Sequence, residues 1–573
     1  MVYRCSPARL LLPLLGVLVI LLSSCDLFGG NSVSQTKLVK APANKQIYTV
    51  PEVNVSDFDT LDPALASDTV SISAIQMIYT GLVQLNSELQ IEPQLAQSWE
   101  QSADGLSWTF HLRTGLKFND GKPLTSSDVA YSINRALQPA TRSTVAPLYL
   151  GLIKDANLLL AGRIPTLIGN SILIPDQNTI VLVTSKRSGY FLAMLTMPCS
   201  YVVEKSLIDQ YGAQFTDHLA EGGGSGPFKV GQYIHGQQID FFPNANYYLG
   251  HPQLQRVSFV FYNSPDESYQ AYQSNKVDMT EVPQATLKRD QTRKDFHQVA
   301  QLWTNYYAMN YRSKPFDNIH IRQAFALAID KVAISREVWQ GTVIPTNHII
   351  PLGMPGYNAQ LTGPDGTQNL KGNASKAQAL LQQGLAEEKL TALPAITLSY
   401  ALDVPHLKNE IDSLLQMWKK VLDVTVTADG ISYSTLLDKV TGTTNNDKGL
   451  QLWALSWVGE YPDPQDWLSL QFGRGEAYNN VNYGQNASST AVQELSTQQL
   501  LEAADAMGQG QNRLQAYQKA EQQIVNDVGW IPLGQVTSSF LRTTQIVGIQ
   551  DNGQRIIAPE DWAKIYRVQI EVV

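Results

Sequence analysis

Nucleophiles, bases and metal ligands occur throughout this chain, but none stands in a spacing that makes an enzyme. The zinc-protease pattern of two histidines four apart with a glutamate between them is absent, and the eight histidines show no ligand spacing. Cys5, Cys25 and Cys199 are the three cysteines, too few for a disulfide scaffold or a cysteine-rich zinc site. Residues 115–122 approach a phosphate loop but carry one residue too many, with Pro123 where Ser or Thr belongs. Gly223-Gly224-Ser225-Gly226-Pro227 fails the nucleophile elbow at its last position, and no Gly-Lys-Ser/Thr follows to bind phosphate. Ser34-Gln35-Thr36-Lys37 has a serine–lysine spacing, but in a polar stretch that offers no rigid site. Carboxylates are plentiful, and nothing singles out a glycosidase pair. The expectation is no catalytic residue, no metal and no cofactor.

Cys25 carries a different chemistry. Arg4 and Arg9 precede an apolar run over 10–22, shorter than the roughly 20 residues that span a bilayer. This reads as the core of a signal peptide. Leu22-Ser23-Ser24-Cys25 then resembles a lipobox, in which the cysteine is lipidated and becomes the first residue of the mature chain. The expected division is a signal peptide over 1–24 and a lipid-attached flexible tether over 25–45, rich in Gly, Ser, Asn and Gln. Cys199 would remain as the one free thiol. Lys and Arg number 42 against 51 Asp and Glu, for a net charge of −9, with no basic block. Nucleic acid is therefore excluded as a partner.

The elements that must position any site alternate. Strands are expected over 46–50, 107–112, 179–183, 238–242, 256–262, 396–402 and 450–456, rich in β-branched and aromatic residues. Thr125-Ser126-Ser127-Asp128 is a capping box opening a helix to about Leu137. Asp317 is expected to cap a helix striped by Ile321, Phe325, Ala328 and Ile329. Leu407, Ile411, Leu414, Leu415, Trp418 and Leu422 keep a 3.6 period, and Leu514, Tyr517, Ile524 and Val525 mark a helix before Gly529. The glycines of 222–226 are expected to supply positive φ in a turn. The mixed order implies an α/β fold with sheets covered by helices.

Several ordered motifs together resemble family 5 of the extracellular solute-binding proteins, the oligopeptide- and dipeptide-binding components of ABC importers. They are Leu61-Asp62-Pro63, Ile78-Tyr79-Thr80-Gly81-Leu82-Val83, Pro93 to Trp99, Trp108 to Arg113 and Gly115 to Thr125. Gly224-Ser225-Gly226-Pro227-Phe228, Asn310 to Asp317 with Ile321 to Lys331, Trp457 to Pro464, and Tyr517 to Leu533 follow in the same order. The resemblance implies a two-lobed clamp with an extra domain inserted in the first lobe. Lobe I comprises 46–80, 205–303 and 531–573, the inserted domain 81–204, and lobe II 304–530. It implies an exported monomer at the outer face of the cell membrane or in the periplasm, bound there by lipid. It also implies a peptide or other small solute as ligand, and permease and ATPase subunits as partners. Arg322 is expected to pair on a helix face and Trp108 to pack a sheet.

A site that holds many peptide sequences must rely on main-chain hydrogen bonds and the charged termini. The resemblance places the amine-binding acid of the Trp-x-x-acid loop at Glu460, where peptide binders usually carry Asp. The extra methylene carries the carboxylate outward by about a bond length. Trp457, Val458 and Tyr433 are the further expected pocket residues, with Ser67 and Thr69 beside the Leu-Asp-Pro turn. Asp463 and Pro464 are expected to shape the loop. The same scaffold also carries nickel chelates, haem, opines or sugars. A secreted hydrolase is the alternative of another class, and a lipoprotein used for adhesion or as a chaperone is a third.

Overall fold

Strand alternation along the chain closes three main sheets. In the computed structural model, which describes residues 36–572, contacts separate a small unit at the chain ends (up to Val39 and from Gln569) from a main body, Lys40–Val568. The predicted signal peptide and Cys25 lie outside the described residues. The tether expected over 25–45 ends earlier than predicted. Thr36–Lys40 is a strand, Ala43–Lys45 a 3-10 turn, and Ala41 is buried with its N–H donating to the Arg567 carbonyl at 2.9 Å. The apolar Leu38 and Val39 in the strand, and the buried Ala41, are not tether residues.

The first sheet orders Ile47–Val53, Arg256–Tyr262, Gln238–Pro243 and Phe228–Ile234, the first pair parallel and the others antiparallel. Its core gathers Tyr48, Ile75, Ile78, Phe228, Ile239 and Val257. The glycine cluster sits beside it. Only Gly223 takes a positive φ, 99°. A Cβ on Gly224 would lie 2.2 Å from the Ile78 carbonyl oxygen and one on Gly226 2.5 Å from that of Met77. These two glycines therefore serve close approach to the end of helix Thr69–Ile78, not the turn geometry expected of them.

The second sheet, in 81–204, is antiparallel: Ala96–Gln101, Ser107–Leu112, Thr179–Val183 and Ile172–Asp176. Helix Ser126–Ala136 covers it, and the capping box forms with Thr125 and Asp128 each bonding the other's backbone. Trp108 is buried, its ring 5.9 Å from that of Phe191. Cys199 is also buried, which pushes its thiol up to about 12 and leaves it unreactive.

The third sheet runs Met279–Glu281, Ile531–Arg542, Phe296–Met309, Leu452–Val458, Ile396–Ala401 and Val426–Ile431, with Val343–Pro345 paired to Ile531–Arg542. Two of its strands are long, Phe296–Met309 and Ile531–Arg542, so the boundaries expected near 304 and 531 fall in or beside strands rather than in loops. Their ladder shifts register between Ala300 and Thr304. Within that gap the Leu302 N–H donates to the Gly553 carbonyl at 3.0 Å, and the Leu302 carbonyl accepts from the Gly459 N–H at 2.8 Å. A β-bulge redirects a strand in this way and frees groups for another segment.

Asn318, not Asp317, caps helix Ile319–Leu327, accepting from the His320 and Ile321 N–H groups. Asp317 instead pairs with Lys314 at 2.6 Å. Arg322 does pair from its helix, with Glu494 at 3.7 Å, but on a buried face. It is 1% exposed, lies 3.6 Å from the Tyr311 ring centre and donates to the carbonyls of Phe316, Asp317 and Asp527. The 514–525 stripe lies in helix Gln511–Asp527 and the 407–422 stripe in Leu407–Leu422.

Glu410, on the latter helix, is buried and accepts from Tyr307 Oη and Trp339 Nε1. Burial pushes its carboxyl from an ordinary 4.5 up to about 7, against the pull of those two donors. The folded state then holds a proton that the unfolded state releases first. Its contribution to stability is full below pH 4.5 and is lost as pH rises through 7. Denaturation midpoints measured across this window should fall less steeply in Glu410→Gln than in wild type. An unchanged slope would mean that Glu410 does not set the pH dependence of stability in this window.

Candidate functional site

The loop after strand Leu452–Val458 is held from three sides. At its start, Thr304 pairs with Trp457 and Trp303 with Val458 across the ladder, and Leu302 accepts from Gly459. Beneath it, Asp463 opens the short helix Pro464–Trp467 by accepting the Gln465 N–H at 2.9 Å. The same carboxylate receives both guanidinium nitrogens of buried Arg513 at 2.7 Å each. This is the fork geometry that gives a charge pair its directionality. Asp463 and Pro464 thus shape the loop.

The third support comes from the inserted segment. Tyr461 is buried among its core residues and meets the Tyr149 ring edge-on at 6.3 Å. Gly189 donates its N–H to the Asp505 carbonyl at 2.9 Å, and a Cβ there would lie 2.2 Å from the Met507 carbonyl oxygen.

Glu460 projects from this braced loop. It is exposed, and its Oε2 accepts from Tyr149 Oη at 2.6 Å. Burial and the Glu460 charge both push the Tyr149 phenol up, so it donates as a neutral hydroxyl. Among the described residues no Lys, Arg or His pairs with Glu460. Behind it lies a cavity of about 240 Å³ between the loop and the inserted segment, walled by Tyr190, Trp457, Tyr461 and Tyr478 with Asp466 and Glu476.

Trp457 is half-buried on this wall. Its Nε1 donates to Asp466 Oδ2 at 3.3 Å, and its ring sits edge-on to Tyr478 at 5.5 Å. The Glu460 N–H donates to the same Asp466 oxygen at 3.0 Å. The other predicted residues do not line this cavity. Val458 is 51% exposed at the strand end. Tyr433 is exposed at the start of helix Tyr433–Thr441, its N–H donating to Asp403 at 3.0 Å. Ser67 and Thr69 are exposed around the Asp68 cap of helix Thr69–Ile78. Sequence reasoning missed Tyr149, Asp466 and Glu476. Tyr149 lies 311 residues from Glu460 with no motif to join them. Asp466 carried a weak signal, an acid directly before the apolar pair Trp467-Leu468 in the short helix that Pro464 opens.

Residues 90–479 match the model of "Bacterial extracellular solute-binding proteins, family 5 Middle". The chain belongs to this family of bacterial solute-binding proteins. It is 25% identical over 548 residues to "Oligopeptide-binding protein OppA" of Bacillus subtilis, covering 93% of this chain and 95% of that protein. It is 27% identical over 554 residues to "Heme-binding protein A" of Haemophilus influenzae, covering 91% and 92%. The solved structure "MppA Periplasmic Murein Tripeptide Binding Protein, Unliganded Open Form" superposes with a TM-score of 0.78 at 23% identity, covering 93% of this chain and 99% of that one. The fold is the two-lobed α/β fold of these binding proteins. Among the described residues no helix is long and apolar enough to cross a membrane.

Proposed function

We propose that this chain is the solute-binding component of an ABC importer. It takes an oligopeptide between its two lobes and delivers it to permease and ATPase subunits, without chemistry of its own. It works as an exported monomer held to the membrane by lipid on Cys25. The observation that carries the peptide reading is Glu460. A carboxylate on a loop braced from three sides, at the mouth of an aromatic cavity, meets a neutral phenol and, among the described residues, no cation. That arrangement suits the α-ammonium of a peptide, with Tyr149 keeping the carboxylate aimed. The similarity to an oligopeptide-binding protein over nearly the whole chain supports the same reading. Hinging would use the two long strands, Phe296–Met309 and Ile531–Arg542, where their ladder is interrupted.

Mass spectrometry of the protein extracted from bacterial membranes tests both parts. The N-terminal fragment should begin at Cys25 and carry a diacylglyceryl group, since one acyl chain alone gives only marginal attachment. Cys25→Ser should release the protein from the membrane. Solutes freed on denaturation should be peptides with unblocked N-termini. A single non-peptide solute in stoichiometric amount would overturn the peptide reading.

A further inference from the structure

The cavity behind Glu460 holds more acid than an ammonium anchor needs. Asp466 is fully buried, and while its Oδ2 takes two donors, its Oδ1 takes none among the described residues. Glu476, half-buried on the same wall, accepts no side-chain or backbone hydrogen bond on its carboxylate from the described residues. Burial pushes both carboxyls up, with the Glu460 charge adding to the effect at Asp466 and Lys186 opposing it at Glu476. Lys186 is the one basic residue on the lining, and it is exposed at the rim, where solvent screens it. Apart from Gln465, the rest of the wall is aromatic and aliphatic. The edge-on pair Trp457 and Tyr478 presents ring surface, with Met194 and Leu470 beside it. Ring faces and unpaired carboxylates attract the same kind of group, a cation on an apolar stem. At about 240 Å³ the cavity is smaller than the roughly 300–1,000 Å³ that encloses a whole small ligand. It has room for one side chain.

We propose that this cavity is a subsite for a basic side chain, and that the chain selects peptides whose first residue is arginine or lysine. The inference rests on the peptide reading above. With the α-ammonium on Glu460, the side chain nearest the cavity is that of the first residue. A guanidinium in the cavity would pair with Glu476 and favour the ionised form of both acids, which burial disfavours. A neutral side chain gives the two acids no such support, and an acidic one meets the Glu460 carboxylate.

The test is titration calorimetry of the full-length folded chain, stripped of bound solute, with two tripeptides that differ only in the first residue. One begins with arginine and the other with citrulline, its uncharged isostere. A charge-assisted pair should favour the arginine peptide by about tenfold or more. In Asp466→Asn and Glu476→Gln the ratio of the two affinities should fall toward one. Reading the ratio cancels any general loosening of the site by either substitution. Equal affinities for the two peptides in wild type would overturn the subsite while leaving peptide binding intact. If neither peptide binds, the peptide reading falls and this inference with it.

Discussion

Replacing Arg513 by methionine is expected to lower the unfolding free energy by about 3–5 kcal/mol, because it leaves the Asp463 carboxylate buried without its partner. Asp463 and Arg513 side chains are only 6% and 1% exposed, so water cannot take over the lost bonds. Arg513 also donates to Tyr517 Oη at 3.1 Å and to the Ala504 carbonyl at 3.2 Å, and both acceptors would be left short. The double variant Arg513→Met with Asp463→Asn should regain a large part of the loss. It removes both charges, and the Asn oxygen still accepts the Gln465 N–H that opens the short helix. Chemical denaturation of the single and double variants measures this. A loss below about 1 kcal/mol in the single variant would mean that the loop does not depend on the pair. The single variant should also weaken ligand binding, since the pair lies directly beneath the loop that carries Glu460.

Much of this arrangement is local and therefore legible in the sequence. The strands Ser107–Leu112, Thr179–Val183 and Arg256–Tyr262 fall where β-branched and aromatic residues cluster, and the Thr125 capping box is complete within four residues. Local signals fail where neighbours compete. Asp317 and Asn318 both can cap, and Lys314 draws Asp317 away. The helix stripe that holds Arg322 says nothing of Tyr311 or the Asp527 carbonyl, which bury it. The same holds at the site. Trp457, Glu460 and Asp463 stand together in one motif, so their shared loop can be read directly. Tyr149 reaches Glu460 only because Tyr461 docks into the core of the inserted segment, a contact that no spacing encodes.

Glu460→Gln is the second change with a large expected effect. Glu460 is exposed here, but closing the lobes over a ligand would desolvate the carboxylate together with the ammonium it holds. Removing one partner of such a pair costs about 2–5 kcal/mol, much of it from leaving the other charge buried and unpaired. At 1.4 kcal/mol per tenfold, affinity for a free peptide should fall by about thirty-fold or more. Gln keeps the size of Glu and can still accept from Tyr149, so the loop should hold its position and the loss should report charge alone. Glu460→Asp should also bind less tightly, because the shorter side chain withdraws the carboxylate from the reach that Tyr149 fixes. An Asp variant that binds better than wild type would show that the extra methylene is not accommodated by this cleft.

The peptide reading stands or falls on the pairing of a ligand ammonium with Glu460. It is tested most directly by calorimetry of the wild-type chain with one peptide in two forms, free and N-acetylated. The acetylated form keeps every other contact and brings no ammonium. The free form should bind about thirty-fold or more tightly than the acetylated one, and the difference should largely disappear in Glu460→Gln. Equal affinities for the two forms in the wild-type chain would contradict it.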